Sequence, residues 1–193
     1  MVKKMDRSVF SVREMTYCAV FAALLAICSW ISVPLTVPVT LQTFAVFAAI
    51  ELLGTKCSMT AIAVWIMLGA AGAPVFSGFK GGIGVLSGTT GGYILGFLLC
   101  PLVAAGIKKI AGKSANSIPV RAAALLVSLI VCYAFGTAWF VVLYTHGGNS
   151  ITVWGALKLC VIPFAVFDCI KLGLAVLLGS RVGRFVNLDG KAK

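Results

Sequence analysis

Long apolar runs separated by short polar or glycine-rich breaks make up nearly the whole chain. The runs lie at 15–33, 38–53, 57–73, 88–107, 121–144 and 163–182. An apolar run of roughly 20 residues can cross a bilayer as a helix, because a helix satisfies its own backbone hydrogen bonds where no water can. The pattern therefore predicts an all-α, polytopic membrane protein with about six transmembrane helices. The second and third runs are short for a hydrocarbon core about 30 Å thick. No internal repeat and no separate soluble domain stands out, so residues 1–193 read as a single membrane domain.

Composition supports this reading. Of 193 residues, 61% are hydrophobic and 11% charged, against about 45–50% and about 25% in soluble domains. A soluble fold of this size could not enclose so much apolar surface. The first run is long for the apolar part of a signal peptide, and no small-x-small cleavage site follows it, so a retained first helix is expected.

The net charge of +11 raises nucleic acid as a partner, but the cations cluster at the ends of apolar runs without interleaved aromatic residues for base stacking. They read instead as topology signals. Lys3, Lys4, Arg7 and Arg13 precede the first run, and Lys56 lies between the second and third. Lys108, Lys109, Lys113 and Arg121 lie between the fourth and fifth, and Arg181, Arg184, Lys191 and Lys193 close the chain. With six spans all of these share one side, leaving only Lys80 and the interfacial Lys158 opposite. Basic connections stay cytoplasmic, so both termini are expected there, in a multi-pass protein of the plasma membrane.

Several kinds of chemistry find no support. The seven cysteines are scattered, none forms a CxxC, and there is one histidine, which argues against a metal or haem site. Gly112, Lys113 and Ser114 resemble the end of a phosphate-binding loop, but the pattern requires glycine at 107, where the chain has Ile107. Ser87 and His146 lack the third, orienting group of a serine hydrolase. The chain is not expected to be an enzyme or to hold a cofactor.

Asp168 and Lys171 are the sharpest polar feature. They lie three residues apart inside the last run and so share a helix face. Charges at such depth cost about 2.5–3.5 kcal/mol or more and normally face a pocket or a partner. Two readings fit: they pair with each other across one turn, or they line a polar ligand site. Elsewhere, Gly84, Gly88, Gly92 and Gly96 recur every fourth residue, as do Ala19 with Ala23 and Ala22 with Ala26. Small residues at this spacing permit close helix approach, within the chain or to another membrane subunit. Two connections on the side opposite the cations are a proline-containing, uncharged stretch at 33–43 and a glycine-rich one at 72–87. Mobile or close-approaching backbone there suits a gate over a pocket, and ordinary turns fit the same composition.

The segments at 37–44, 72–78 and 88–97, and the one from Pro163 and Phe164 through Asp168 to Lys171, in this order and at these intervals, resemble the BioY family over roughly Thr16 to Val182. The Gly91-Gly92-Tyr93 and Pro163-Phe164…Asp168-x-x-Lys171 segments are the most specific. Two departures are Thr89, where the family pattern commonly has proline, and Val166-Phe167, where it often has Pro-Gly. The resemblance implies a biotin-binding S component, energised by a separate transmembrane coupling protein and an ATPase pair of an energy-coupling factor (ECF) transporter. It also implies that Ala19, Ala22, Ala23 and Ala26 dock the coupling subunit. For biotin, Lys171 is expected to neutralise the carboxylate, with Lys80 as rival, and Asp168 to orient Lys171 or accept a ligand N–H. Tyr93 and Gln42 are expected to hydrogen-bond the ligand, and Phe79, Gly82 and Gly91 to wall the pocket. The alternatives are another vitamin on the same architecture, such as riboflavin or thiamine, or an intramembrane enzyme.

Overall fold

The computed structural model describes residues 10–33, 39–146 and 152–186. The terminal cations Lys3, Lys4, Arg7, Lys191 and Lys193, the side chain of Arg184 and residues 34–38 of the first outer connection lie outside the described residues. Within them, five helices are long and apolar enough to cross a membrane. Helix α1 spans Val12–Trp30, and α2 spans Gln42–Ala70. The short α3 (Ile83–Leu86) and α4 (Gly91–Gly96) precede α5 (Leu99–Ala111). Helices α6 (Ile118–His146), α7 (Val153–Cys160) and α8 (Ile162–Val186) complete the order.

The sixth crossing is hidden in α2, which is two antiparallel arms joined at Gly54. Gly54 has φ 71° and ψ −177°, a region of backbone space that is essentially glycine-only. The hydrogen bonds show the reversal. Gln42 Nε2 donates to Ser29 Oγ near the end of α1, at 2.6 Å, and Trp30 Nε1 donates to Pro74 O at 2.8 Å. Between them, Cys57 O accepts from Cys18 Sγ near the start of α1. Both ends of α2 thus sit at one face and its middle at the other. Arm 42–53 is roughly 18 Å long at 1.5 Å per residue, too short to span the bilayer. Before it lies the two-stranded ribbon β1 (Ser32–Val33) and β2 (Val39–Thr40), paired Ser32 to Thr40 and Val33 to Val39.

Other boundaries move for local reasons. Helix α1 begins before the expected position 15 because Ser11 and Glu14 form a reciprocal capping box. The expected span 88–107 is interrupted between α4 and α5, where Pro101 cannot donate to the carbonyl one turn earlier. The four-residue glycine repeat serves as a packing groove only at its end. Gly92 admits the side chain of Trp139 and Gly96 that of Cys132, whereas a Cβ on Gly84 would meet open space.

At the cation-rich face, Lys108 Nζ lies 3.0 Å from Glu51 Oε1, and Arg121 binds Glu51 Oε2 through Nε and Nη2. The Glu51 side chain has no exposed area. Arg121 Nη2 also donates to Val176 O at 3.2 Å, and Gly179 has no side chain to obstruct this approach. One buried carboxylate thereby joins α2, α5, α6 and α8. Among the described residues, no buried side-chain nitrogen or oxygen lacks a partner.

Candidate functional site

The opposite, outer end of the bundle encloses a cavity of about 440 Å³. Three elements remote in sequence build its charged wall: the start of α2 with β2, the middle of α6, and the second and third turns of α8. The Asp168 carboxylate accepts from Thr43 Oγ1 (2.8 Å) and Lys171 Nζ (2.6 Å) on Oδ1, and from the Tyr133 hydroxyl (2.5 Å) on Oδ2. Lys171 Nζ also donates to Thr40 O at 2.7 Å and Thr43 Oγ1 at 3.2 Å. Asp168 and Lys171 are 4% and 8% exposed. Their three-residue spacing lets them pair along one face of α8, and the same face lines the cavity. The two residues thus pair across one turn and at the same time face the cavity.

The pair has little unused capacity. The three ammonium protons of Lys171 meet three acceptors, and the carboxylate of Asp168 fills three of its roughly four acceptor sites. The remaining lone-pair position is on Oδ2, beside the Tyr133 contact.

The rest of the lining is mixed: Phe76, Ile94, Phe97 and Phe164, all buried, stand beside hydroxyl groups such as Ser32, Ser77 and Thr90. Tyr93 faces the cavity and its hydroxyl is 3.0 Å from Thr137 Oγ1. Gln42 also lines it, with its amide engaged by Ser29 and Thr40. Exposed Gly78, Lys80 and Thr89 mark the mouth. Lys80 forms no ion pair among the described residues.

Asp168, Lys171, Tyr93, Gln42 and Lys80 thus meet at one cavity, whereas Phe79, Gly82 and Gly91 do not line it. Phe79 is 64% exposed and stacks on Trp30 with ring centroids 5.1 Å apart. Gly78 and Phe79, both at positive φ, form the tip of a turn closed by pairing of Phe76 with Lys80. That turn directs Phe79 outward while its flanking residues reach the cavity. Gly82 supplies a positive φ (93°) entering α3, and its N–H donates to Gly69 O at 2.7 Å. Gly91 packs so closely on the carbonyl of Leu86 that a Cβ would overlap it. Both glycines serve the backbone, not the pocket surface.

The alanines of α1 divide likewise. Ala22 and Ala26 are buried in the chain's own core, whereas Ala19 and Ala23 are exposed. The expected assignment of Ala22 and Ala26 to a docking face is therefore corrected, because α2 already covers that side of α1.

Thr40, Thr43 and Tyr133 also line the cavity and lie outside the set of residues that the sequence singles out. Tyr133 carries a partial signal, a hydroxyl midway along a strongly apolar run that also holds Ser128 and Thr137. Thr43 carries none, since its role exists only once α8 lies beside α2.

Residues 1–188 match the model of the BioY family. The biotin transporter BioY of Thermotoga maritima is 40% identical over 172 residues, covering 88% of this chain and 95% of the relative. The probable biotin transporter BioY of Pyrococcus horikoshii is 37% identical over 171 residues, covering 88% and 96%. A crystal structure of the S-component for biotin from an ECF-type ABC transporter superposes with a TM-score of 0.79. It is 25% identical, over 90% of this chain and 92% of that one. The family match over nearly the full length and the likeness of the helical bundle agree, and the chain belongs to the BioY family.

Proposed function

We propose that this chain captures biotin at the outer face of the plasma membrane and delivers it for uptake, energised by an ECF coupling protein and its ATPases. The observation that carries the reading is the cavity, which joins one buried, hydrogen-bonded Asp168–Lys171 pair to a wall that mixes aromatic and aliphatic side chains with hydroxyl groups. Its volume lies within the range of about 300–1,000 Å³ typical of small-molecule sites. Biotin offers the matching set: a neutral ureido group, an apolar sulfur ring, and a carboxylate on a flexible tail.

The saturation of Lys171 argues for one orientation of the ligand. A carboxylate placed there would share a single ammonium with Asp168 in a buried setting, where like charges repel strongly. A neutral ureido group avoids this, with one N–H donating to the spare position on Asp168 Oδ2. The carboxylate then lies at the mouth, within the field of Lys80. Lys80 thus takes the carboxylate role in preference to Lys171. The exposed alanines Ala19 and Ala23 remain for docking the coupling protein, since small residues allow close helix approach.

Isothermal titration of the detergent-purified chain tests the reading with biotin, biotin amide, N-methylated biotin, riboflavin and thiamine. Biotin should bind tightly, the amide only about 2–5-fold more weakly as befits an exposed ion pair, and the ureido N-methyl analogue far more weakly. A loss of roughly a hundredfold or more for the amide would return the carboxylate to Lys171. Binding of riboflavin or thiamine without biotin would refute the substrate.

A further inference from the structure

Tyr93 is held from behind in a way that the ligand-binding reading alone does not require. Its ring, on α4, lies directly over Gly136 of α6, where a Cβ would overlap three ring atoms. Its hydroxyl is tied to Thr137, the next residue, at 3.0 Å. One helix therefore supplies both a seat and a tether for a ring that lines the cavity from another.

The seat has no slack. Helix α4 lies at close range against α6, with Gly92 packed on Trp139 and Gly96 on Cys132. Two further bonds hold the register: Trp139 Nε1 donates to Gly88 O at 3.1 Å, and Cys132 Sγ donates to Tyr93 O at 3.6 Å. A methyl group at position 136 must then be accommodated by the ring itself. With α6 behind it and Phe140, Ala156 and Cys160 packed against it, the open side of the ring is the cavity it lines.

We propose that Gly136 and Thr137 are positioning residues of the binding site, which seat and tether Tyr93 and so set the width of ring system the cavity admits. Neither residue lines the cavity. They act through Tyr93, and the choice of probe ligands rests on the biotin reading. Biotin and desthiobiotin are a suitable pair, since they share the ureido ring and acidic tail and differ by the sulfur bridge that completes the second ring.

The test is the ratio of dissociation constants for these two ligands in the full chain, with folding checked by thermal unfolding in detergent. Gly136→Ala should weaken biotin binding by about tenfold or more, the scale of overpacking a filled site, and weaken desthiobiotin less. The ratio should then move toward desthiobiotin. Adding Tyr93→Ala removes all three overlapping ring atoms, so the double variant should have the ratio of Tyr93→Ala alone. Thr137→Val, which deletes the tether, should reduce discrimination between the ligands, and Thr137→Ser, which keeps the hydroxyl, should restore it. An unmoved ratio in folded Gly136→Ala and Thr137→Val, with the unsubstituted chain binding biotin, would overturn this proposal alone. If Gly136→Ala fails to fold, the Thr137 pair decides by the same ratio. An unsubstituted chain that does not bind biotin would overturn the functional reading and this proposal together.

Discussion

Replacing Asp168 with asparagine removes one charge from a site that has little means of absorbing the loss. Lys171 would keep Thr40 O and Thr43 Oγ1 but lose the counter-charge that lies 2.6 Å away. The two side chains are only 10% and 6% exposed, so solvent screens the change weakly. Removing one partner of a buried pair costs about 3–5 kcal/mol, most of it from the charge left uncompensated. Asp168→Asn should therefore lower the stability of the detergent-solubilised chain by about that amount, read from SDS-driven unfolding followed by far-ultraviolet circular dichroism. Adding Lys171→Met removes the stranded ammonium and should recover at least half of the loss, because the cost of burying an unpaired charge disappears. Biotin binding should stay lost in both variants, which separates the structural role of the pair from its role in recognition. A single substitution costing under about 1 kcal/mol would match a solvated surface pair and refute the buried-charge account. A double variant no more stable than the single one would place the loss in the hydrogen bonds to Thr43 and Tyr133.

Lys80→Gln should weaken biotin binding by about 2–5-fold at low ionic strength and by less at high salt, because this exposed cation is readily screened; titrations across a salt series check this. Gly54→Ala forces a side chain into a backbone region open essentially to glycine and should cost about 1–3 kcal/mol in the same unfolding assay, with biotin affinity little changed in the folded fraction. Glu51→Gln leaves Lys108 and Arg121 facing each other across a buried amide. It should destabilise the chain by about 3 kcal/mol or more, and the Glu51→Gln/Lys108→Met double variant should regain part of that.

The chain's own pattern determined what depends on the energy of single segments in a bilayer. Transfer of an apolar run into hydrocarbon is a sum over its residues, so the membrane character, the approximate spans and the one-sided cations were legible without tertiary contacts. Asp168 and Lys171 were legible for a related reason, since their spacing on one helix face is local geometry.

Only the tertiary structure decided which faces of those helices meet. A span that is apolar on every side has no strong direction of its own, and its rotation about its axis is set by packing against neighbours. For this reason Thr43 and Tyr133 could join Asp168 only after α2, α6 and α8 had packed, across sequence separations of 125 and 35 residues. The same holds for Ala22 and Ala26, buried by α2 while Ala19 and Ala23 stay exposed, and for the meeting of Glu51 with Arg121. Gly54 lies between the two: the break at 54–56 was legible, but a reversal through one glycine-only backbone angle was not. Helix hydrogen bonding resumes immediately on both sides of Gly54, and only the packing of both arms against α1 sets their direction.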